Sequence, residues 1–265
     1  MTSPPVEWGD EPIHPTAVIH EQARVPDSAR IGPYAVIGPD VELGEDAHVG
    51  PHVLIERDTR LGAGCRLGKG AVLGTDPQDE KYGGESSRLV VGAGTTVREY
   101  ATLNRGSTAT GVTEVGEECL IMTYAHVAHD CRIGDRVVLA NAVNMGGHVE
   151  IGDWAIVGGV TAIHQYVRVG EHAFVGGGSR VSQDVAPYCT VAGNPPSGYG
   201  VNTVGLERRD FPEASVRALR EAYRRIFRSS DRVARALDEI EDGECTPEVA
   251  ELVRFVRESE RGVTQ

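Results

Sequence analysis

The sequence predicts a mainly β fold: a parallel β-helix of hexapeptide repeats followed by a small α-helical C-terminal domain. Three observations predict it. An aliphatic residue returns at every sixth position, as in Ile31, Ile37, Leu43, Val49, Ile55, Leu61, Leu67 and Leu73. It does so again in Val115, Ile121, Val127, Ile133, Leu139, Met145, Ile151, Val157, Ile163, Val169, Val175 and Val181. Directly after many of these stands Gly, and four places after them a small or β-branched residue (Ala35, Ala47, Thr59, Ala71, Cys119, Ala125, Cys131, Ala155, Thr161, Ala173). Beyond Pro187 the period stops, and apolar residues recur at helical spacing in Val216, Leu219, Ala222, Tyr223 and Ile226.

A period of six fits a short strand followed by a turn. The aliphatic residue and the small residue four on both point inward, as strand alternation requires. The small residue leaves room at a corner, and Gly is expected to supply backbone freedom there. Three such strands make a triangular coil of 18 residues. Coils stack at roughly 4.8 Å, the ordinary spacing between strands. One coil cannot bury its aliphatic side, whereas a stack forms a continuous column.

The elements follow in order. Residues 1–12, with Pro4, Pro5 and Pro12, are expected to be a loose tail. They have neither the basic start nor the apolar stretch of a signal peptide. The β-helix is assigned to 13–190. Its frame is broken by the polar run Gly74–Glu85, which predicts an external loop near 74–88, a type of loop that often carries function. A shorter break spans Arg105–Glu114. Ala192–Asn202 has turn chemistry. Residues 191–265 are assigned to the helical domain: one helix opened by Pro212, and two more over Asp231–Glu241 and Thr246–Ser259.

Composition narrows the function. The chain has 265 residues and a net charge of −13, which argues against general nucleic-acid binding. It contains no apolar run long enough for a membrane span. Its five Cys lack metal spacing, and Cys65, Cys119 and Cys131 take the small inward position. That pattern fits reduced, buried thiols of a cytoplasmic protein. Between Arg208 and Arg235 nine Arg face four acids. This basic segment is either a solvated helix face or a surface for an anionic partner or a diphosphate.

Residues 18 apart stack, so the hexads beginning at Val127, Met145 and Ile163 lie one above another. Each carries a histidine: His129, His148 and His164. Asp130 lies 18 before His148, and His126 stands just upstream. Four His and one Asp are therefore expected to converge on one face. A neutral His takes a proton from a hydroxyl, and an adjacent Asp holds its tautomer. This suits transfer of an acyl group from a thioester to a hydroxyl, with Gly146-Gly147 offering amides to the tetrahedral oxyanion. A second chemistry stays open: three His can hold zinc with one place free, as in a β-helix enzyme of the carbonic anhydrase type. His14, His20, His48, His52 and His172 are read as ordinary scattered histidines.

With these residues named, the chain resembles the UDP-N-acetylglucosamine O-acyltransferase family over nearly its whole length. The likeness rests on Gln78–Glu85, His126-Val-Ala-His-Asp-Cys131, Asn141 through His148, Thr161–Gln165, Gln183–Tyr188, and Gly200–Asn202 leading to Gly205–Arg209. The resemblance implies a left-handed β-helix, a homotrimer and sites in clefts between subunits. It implies His129 as general base, Asp130 as its orienting partner and Gly147 as oxyanion donor. Asp79, Lys81, His126, His148, His164 and Gln165 would contact substrate, and Gly177 would measure the acyl chain. Asn202, Arg208 and Arg209 would bind the nucleotide end. The implied donor is a 3-hydroxyacyl group on acyl carrier protein, an acidic partner suited to the Arg-rich segment. The implied acceptor is UDP-N-acetylglucosamine, with no cofactor or metal, in the cytoplasm. Two positions depart from the family: Val204 stands where Glu is expected, and Pro195-Pro196 replaces a more polar turn. Both raise a 3-amino UDP-sugar as an alternative acceptor.

Overall fold

The computed structural model describes Trp8, residues 11–229 and residues 232–265. Most of the expected loose tail lies outside the described residues, as does Asp231. Among the described residues, strands of mostly two to four residues form three sheets of nine, seven and ten strands, parallel except for the last strand of the third, and these are the three sides of a left-handed β-helix. The sides are called here by one outward residue each: the His126, Arg132 and Leu120 faces. On each, a strand pairs with the one a coil later, as Val36 with Leu54 and Leu54 with Val72. The pairing also closes over both insertions, since Val72 pairs with Thr102 and Leu89 with Thr113. The loops therefore leave the column without shifting which side chains face inward.

The column is filled by the six-period aliphatics and by the small residues four on. Ile37, Val49, Ile55, Leu103, Ile121, Val127, Leu139, Ala125 and Ala155 are at most 1 % exposed. Burying each large aliphatic contributes about 1.5–3 kcal/mol. The inward thiols are solvated by the coil above: Cys119 Sγ donates to Gly134 O at 3.1 Å and Cys131 Sγ to Gly146 O at 3.3 Å. Burial pushes the Cys131 thiol up to about 12. Cys65, Cys119, Cys131 and Cys189 are buried, and Cys245 is exposed.

The glycines work differently from the expectation. Gly32, Gly38, Gly44 and Gly50 have no positive φ; the residue two later has it instead, as in Tyr34 (59°), Asp40 (55°), Asp46 (56°) and His52 (56°). What the glycines provide is closeness between coils. A Cβ on Gly38 would lie 1.7 Å from Glu56 O, and one on Gly44 2.5 Å from Ala63 N. The corner residues in left-handed conformation form three outward columns along the edges of the prism. Tyr100 and Tyr124 stack at 5.4 Å on one edge, and Trp154, His172 and Tyr188 stack on another. Val160, 73 % exposed at φ 57°, is a β-branched residue in a region such residues avoid.

Between Leu73 and Leu103 the outer loop departs after the strand Val72–Thr75 and returns at Arg88–Val91. The Ala192–Asn202 segment is more regular than turn chemistry suggests. Strands Cys189–Gly193 and Pro196–Val201 form an antiparallel hairpin that extends the Leu120 face. Four helices follow among the described residues: α1 (Thr203–Glu207), α2 (Glu213–Phe227), α3 (Val233–Glu241) and α4 (Pro247–Glu258). The first of these was not anticipated. The Asn202 side chain caps α1 by accepting from Gly205 N at 3.2 Å, and the Thr246 side chain accepts from Val249 N at the start of α4. The helices bury Val216, Leu219, Tyr223, Leu252 and Phe255 in a second core with Tyr188 and Cys189. No described helix is long and apolar enough to cross a membrane.

Candidate active site

The edge between the His126 and Arg132 faces carries the histidine cluster. Three neighbouring columns run along it: Ala128–Gly146–His164, His129–Gly147–Gln165 and Asp130–His148–Tyr166. The three histidines of the stacked hexads thus occupy three adjacent columns, because each sits at a different place in its hexad. Asp130, His148 and Tyr166 take the left-handed corner conformation (60°, 61° and 64°), which turns their side chains outward together.

His129, Asp130 and His148 converge. Asp130 Oδ2 lies 2.7 Å from His129 Nδ1 and 3.7 Å from His148 Nε2. The Asp130 side chain is fully buried, and that of His129 is 13 % exposed. Burial by itself raises the Asp130 carboxyl. Hydrogen bonds outweigh it and hold the group at about 2: Ser107 N donates at 2.9 Å, the Thr110 hydroxyl donates to the same oxygen, and His129 donates to the other. A carboxylate only accepts, so His129 Nδ1 carries the proton and its Nε2 bears a free lone pair. The His148 ring stands edge-on to His129 at 5.3 Å and stacks on Tyr166 at 4.5 Å.

Gly147 lies directly over the His129 ring. A Cβ there would stand 2.5 Å from His129 Cε1 and 2.7 Å from Nε2, so only glycine leaves the imidazole its place. Its carbonyl accepts from Tyr166 N at 3.1 Å, and its N–H donates to no described residue. A hollow of about 430 Å³ opens beside the cluster, lined among others by Thr110, Asp130, His148, Tyr166, Arg168 and Glu260.

Two expected members stand at the rim of the cluster. His126 Nδ1 lies 2.7 Å from Thr102 Oγ1; burial and then the nearby His129 lower its pKa. His164 and Gln165 are exposed one coil above Gly147. The outer loop is held by Arg105, whose side chain is 3 % exposed. Its guanidinium donates to Gly74 O and Asp76 Oδ1 at 2.5 Å each and to the Tyr82 hydroxyl at 3.1 Å. Asp79 Oδ1 accepts from Lys81 N at 3.0 Å, and the Lys81 side chain is exposed.

The remaining expected residues lie on other edges of the prism. Gly177 is exposed on the edge that carries Tyr124, where a side-chain Cβ would stand 3.1 Å from Gly159 O. Asn202 and Arg209 gather at the edge that carries Trp154. Asn202 Nδ2 donates to His172 O at 2.9 Å, and Arg209 donates to Trp154 O at 2.9 Å while lying over the Trp154 ring at 5.0 Å. Burial lowers the Arg209 pKa. Arg208 is exposed. One chain therefore does not bring these residues to His129.

The sequence reading missed Ser107, Thr110 and Thr113, whose hydroxyls or amides hold the Asp130 carboxylate and amide, and Arg105, which ties the outer loop to the same segment. The break at Arg105–Glu114 was the available signal. His129, Asp130 and His148 have ligand atoms within 4.8 Å of one another, close enough for one metal ion. Two of these residues are already joined to each other by the His129 Nδ1–Asp130 Oδ2 hydrogen bond.

Comparison with known proteins adds a second line. A family profile described as UDP N-acetylglucosamine O-acyltransferase, domain 2, matches residues 184–264. A bacterial transferase hexapeptide profile matches 22–57 and 113–147. The chain is 44 % identical over 195 residues to the acyl-[acyl-carrier-protein]–UDP-N-acetylglucosamine O-acyltransferase of Alkalilimnicola ehrlichii, covering 73 % of this chain and 76 % of that one. It is 45 % identical over 191 residues to that of Anaeromyxobacter dehalogenans, covering 71 % and 74 %. Among solved structures, LpxA from Acinetobacter baumannii superposes with a TM-score of 0.93 at 36 % identity, covering 96 % of this chain and all of that one. The Francisella novicida UDP-N-acetylglucosamine acyltransferase gives 0.92 at 36 %, covering 95 % and 93 %.

Proposed function

The chain belongs to the UDP-N-acetylglucosamine O-acyltransferase family, and from that premise we propose that it moves a 3-hydroxyacyl group from acyl carrier protein to the 3-hydroxyl of UDP-N-acetylglucosamine, the first step of lipid A biosynthesis. The observation that supports the chemistry best is the His129–Asp130 pair under the free Gly147 amide.

His129 Nε2 takes the proton of the sugar 3-hydroxyl as its oxygen attacks the thioester carbonyl. Asp130 holds Nδ1–H and stabilises the imidazolium. The Gly147 N–H donates to the tetrahedral oxyanion. Collapse breaks the C–S bond, and His129 returns its proton to the carrier's thiolate. The products are the 3-O-acyl sugar nucleotide and the free thiol. His126, His148, His164, Gln165, Asp79 and Lys81 contact substrate around this centre, and Gly177 bounds the acyl chain. Asn202, Arg208 and Arg209 serve the nucleotide end.

The assembly is a homotrimer. Its support is the separation of these groups onto three edges of one prism, which neighbouring copies reunite. Arg217, Arg220 and Arg224 lie on an exposed side of α2, a basic stripe for the acidic carrier protein. The proposed setting is the cytoplasm, where the buried free thiols Cys65, Cys119, Cys131 and Cys189 stay reduced. Val204, 57 % exposed in α1 and without a carboxylate to offer a ribose, favours a 3-amino UDP-sugar as second acceptor to be tried.

The test is an acyl-transfer assay with UDP-N-acetylglucosamine and a series of 3-hydroxyacyl carrier proteins, with mass detection. A product heavier by one hydroxyacyl group supports the reading. A product formed only from the 3-amino sugar replaces an ester by an amide. No product from either acceptor overturns acyl transfer, and zinc analysis then tests the metal alternative.

A further inference from the structure

After α4 the chain turns back onto the β-helix. Val263 bridges Asp184, Asp184 N donates to Gly262 O at 3.0 Å, and Thr264 N donates to Asp184 O at 2.8 Å. On the other side Ser259 Oγ donates to Asp184 Oδ2 at 2.7 Å. Between these fastenings Arg261 reaches across: one guanidinium nitrogen lies 3.2 Å from His164 Nδ1 and 3.4 Å from Ser182 O. The same Nδ1 lies 3.1 Å from Gln165 O.

These two contacts exclude each other in a neutral ring. A guanidinium has no acceptor, so Nδ1 must be bare to receive from Arg261; a carbonyl has no donor, so Nδ1 must carry hydrogen to reach Gln165. Bonds from a charged donor are the stronger class. Among the described residues no carboxylate pairs with Arg261, and its Nε is buried without a partner, so nothing draws the cation away from His164.

We propose that Arg261 is a positioning residue that fixes the His164 tautomer, leaving the proton on Nε2; this rests on the acyl-transfer reading above. His164 lines a hollow of about 430 Å³ with Arg180, Ser182, Asn194 and Pro195. Glu260, the residue before Arg261, lines the neighbouring hollow that holds Asp130 and His148. With Nε2 protonated, His164 donates to an acceptor oxygen of the bound substrate, a carbonyl or a phosphoryl. Without Arg261, Nδ1–H turns to Gln165 and Nε2 presents a lone pair that repels the same oxygen.

The experiment uses the full chain with ¹⁵N-labelled histidine, assigned with His164→Asn, and steady-state kinetics on Arg261→Gln, Arg261→Lys, His164→Asn and the double variant. In the unaltered protein, His164 Nδ1 resonates as a bare nitrogen and Nε2 as a protonated one; Arg261→Gln reverses the two. Arg261→Gln lowers kcat/KM about tenfold, the worth of one charge-assisted hydrogen bond. Arg261→Lys, which keeps a cationic donor, recovers most of the loss. In the His164→Asn background Arg261→Gln adds little further loss, because it acts through His164. A protonated Nδ1 in the unaltered protein overturns the proposal, and so does an undiminished Arg261→Gln effect in the His164→Asn background. The tautomer is read without turnover, so failure of acyl transfer itself would be seen separately.

Discussion

At the scale of single residues, the candidate centre is a carboxylate made by its neighbours. The buried Asp130 stays ionised because Ser107, Thr110 and His129 all donate to it. Its folded pKa is about 2, below the ordinary carboxylate value, so its contribution to stability is present above about pH 4 and is lost as pH falls through 2. Asp130 therefore stays ionised across the pH range in which the enzyme would be assayed, well above 2. His129→Ala is expected to leave a folded protein and lower kcat about 100-fold or more, the size of a general-base effect; near-normal turnover in the purified variant would remove the mechanism. Gly147→Ala should cost a comparable factor by a different route, since its Cβ would stand 2.5 Å from the imidazole. A crystal structure of that variant with an undisturbed His129 ring would contradict the steric account. His129, Asp130 and His148 were legible in the sequence because stacking at 18 residues is arithmetic. Ser107 and Thr110 were not, because they sit in an insertion whose path no period dictates.

At the scale of the repeat, the hexad proved to divide its labour. The aliphatic and small positions fill the column, as the alternation indicated. The glycine after them permits contact between coils, and the left-handed turn is made two residues later by whatever side chain stands there. The composition of the hexad suggested the wrong one of these two because glycine suits both. Gly38→Ala should therefore unfold or locally displace a coil, costing about 1–3 kcal/mol or more, measurable as a fall in the thermal midpoint. Val160→Asn should do the reverse, stabilising the fold by about 1 kcal/mol and raising the midpoint, since asparagine tolerates the left-handed region that valine resists. The stacked edge through Trp154, His172 and Tyr188 carries a pH signature. Burial, aided by Arg209, lowers the His172 pKa to about 4. Its stabilising share is full above pH 6.5 and is lost as pH falls towards 4. Denaturation of His172→Asn between those limits should vary less with pH than that of the parent; equal slopes would assign the acid sensitivity elsewhere.

At the scale of the whole molecule, the three faces differ in what they offer to water. The Arg132 face carries Arg24–Glu42–Arg60 and Glu114–Arg132 pairs, with Glu150–Arg168 above, a ladder of alternating charge. The Leu120 face instead presents Leu120, Val138, Ile156 and Phe174 in one register. We therefore expect Ile156→Asp to convert the proposed trimer to a monomer in sedimentation velocity and to abolish turnover, because a single prism keeps the proposed site residues on separate edges. An unaltered trimer would move the interface to another face. The column itself was readable from its period, whereas the hairpin at Cys189–Val201 was hidden behind prolines and glycines that suggested only a turn. The register that closes across both insertions has a hereditary consequence. Codons gained or lost at the corners near residues 80 and 108 leave the register of the column intact. A single codon deleted inside a hexad turns every aliphatic of that strand outward, so length variation between descendants of this gene should gather at the corners and spare the strands.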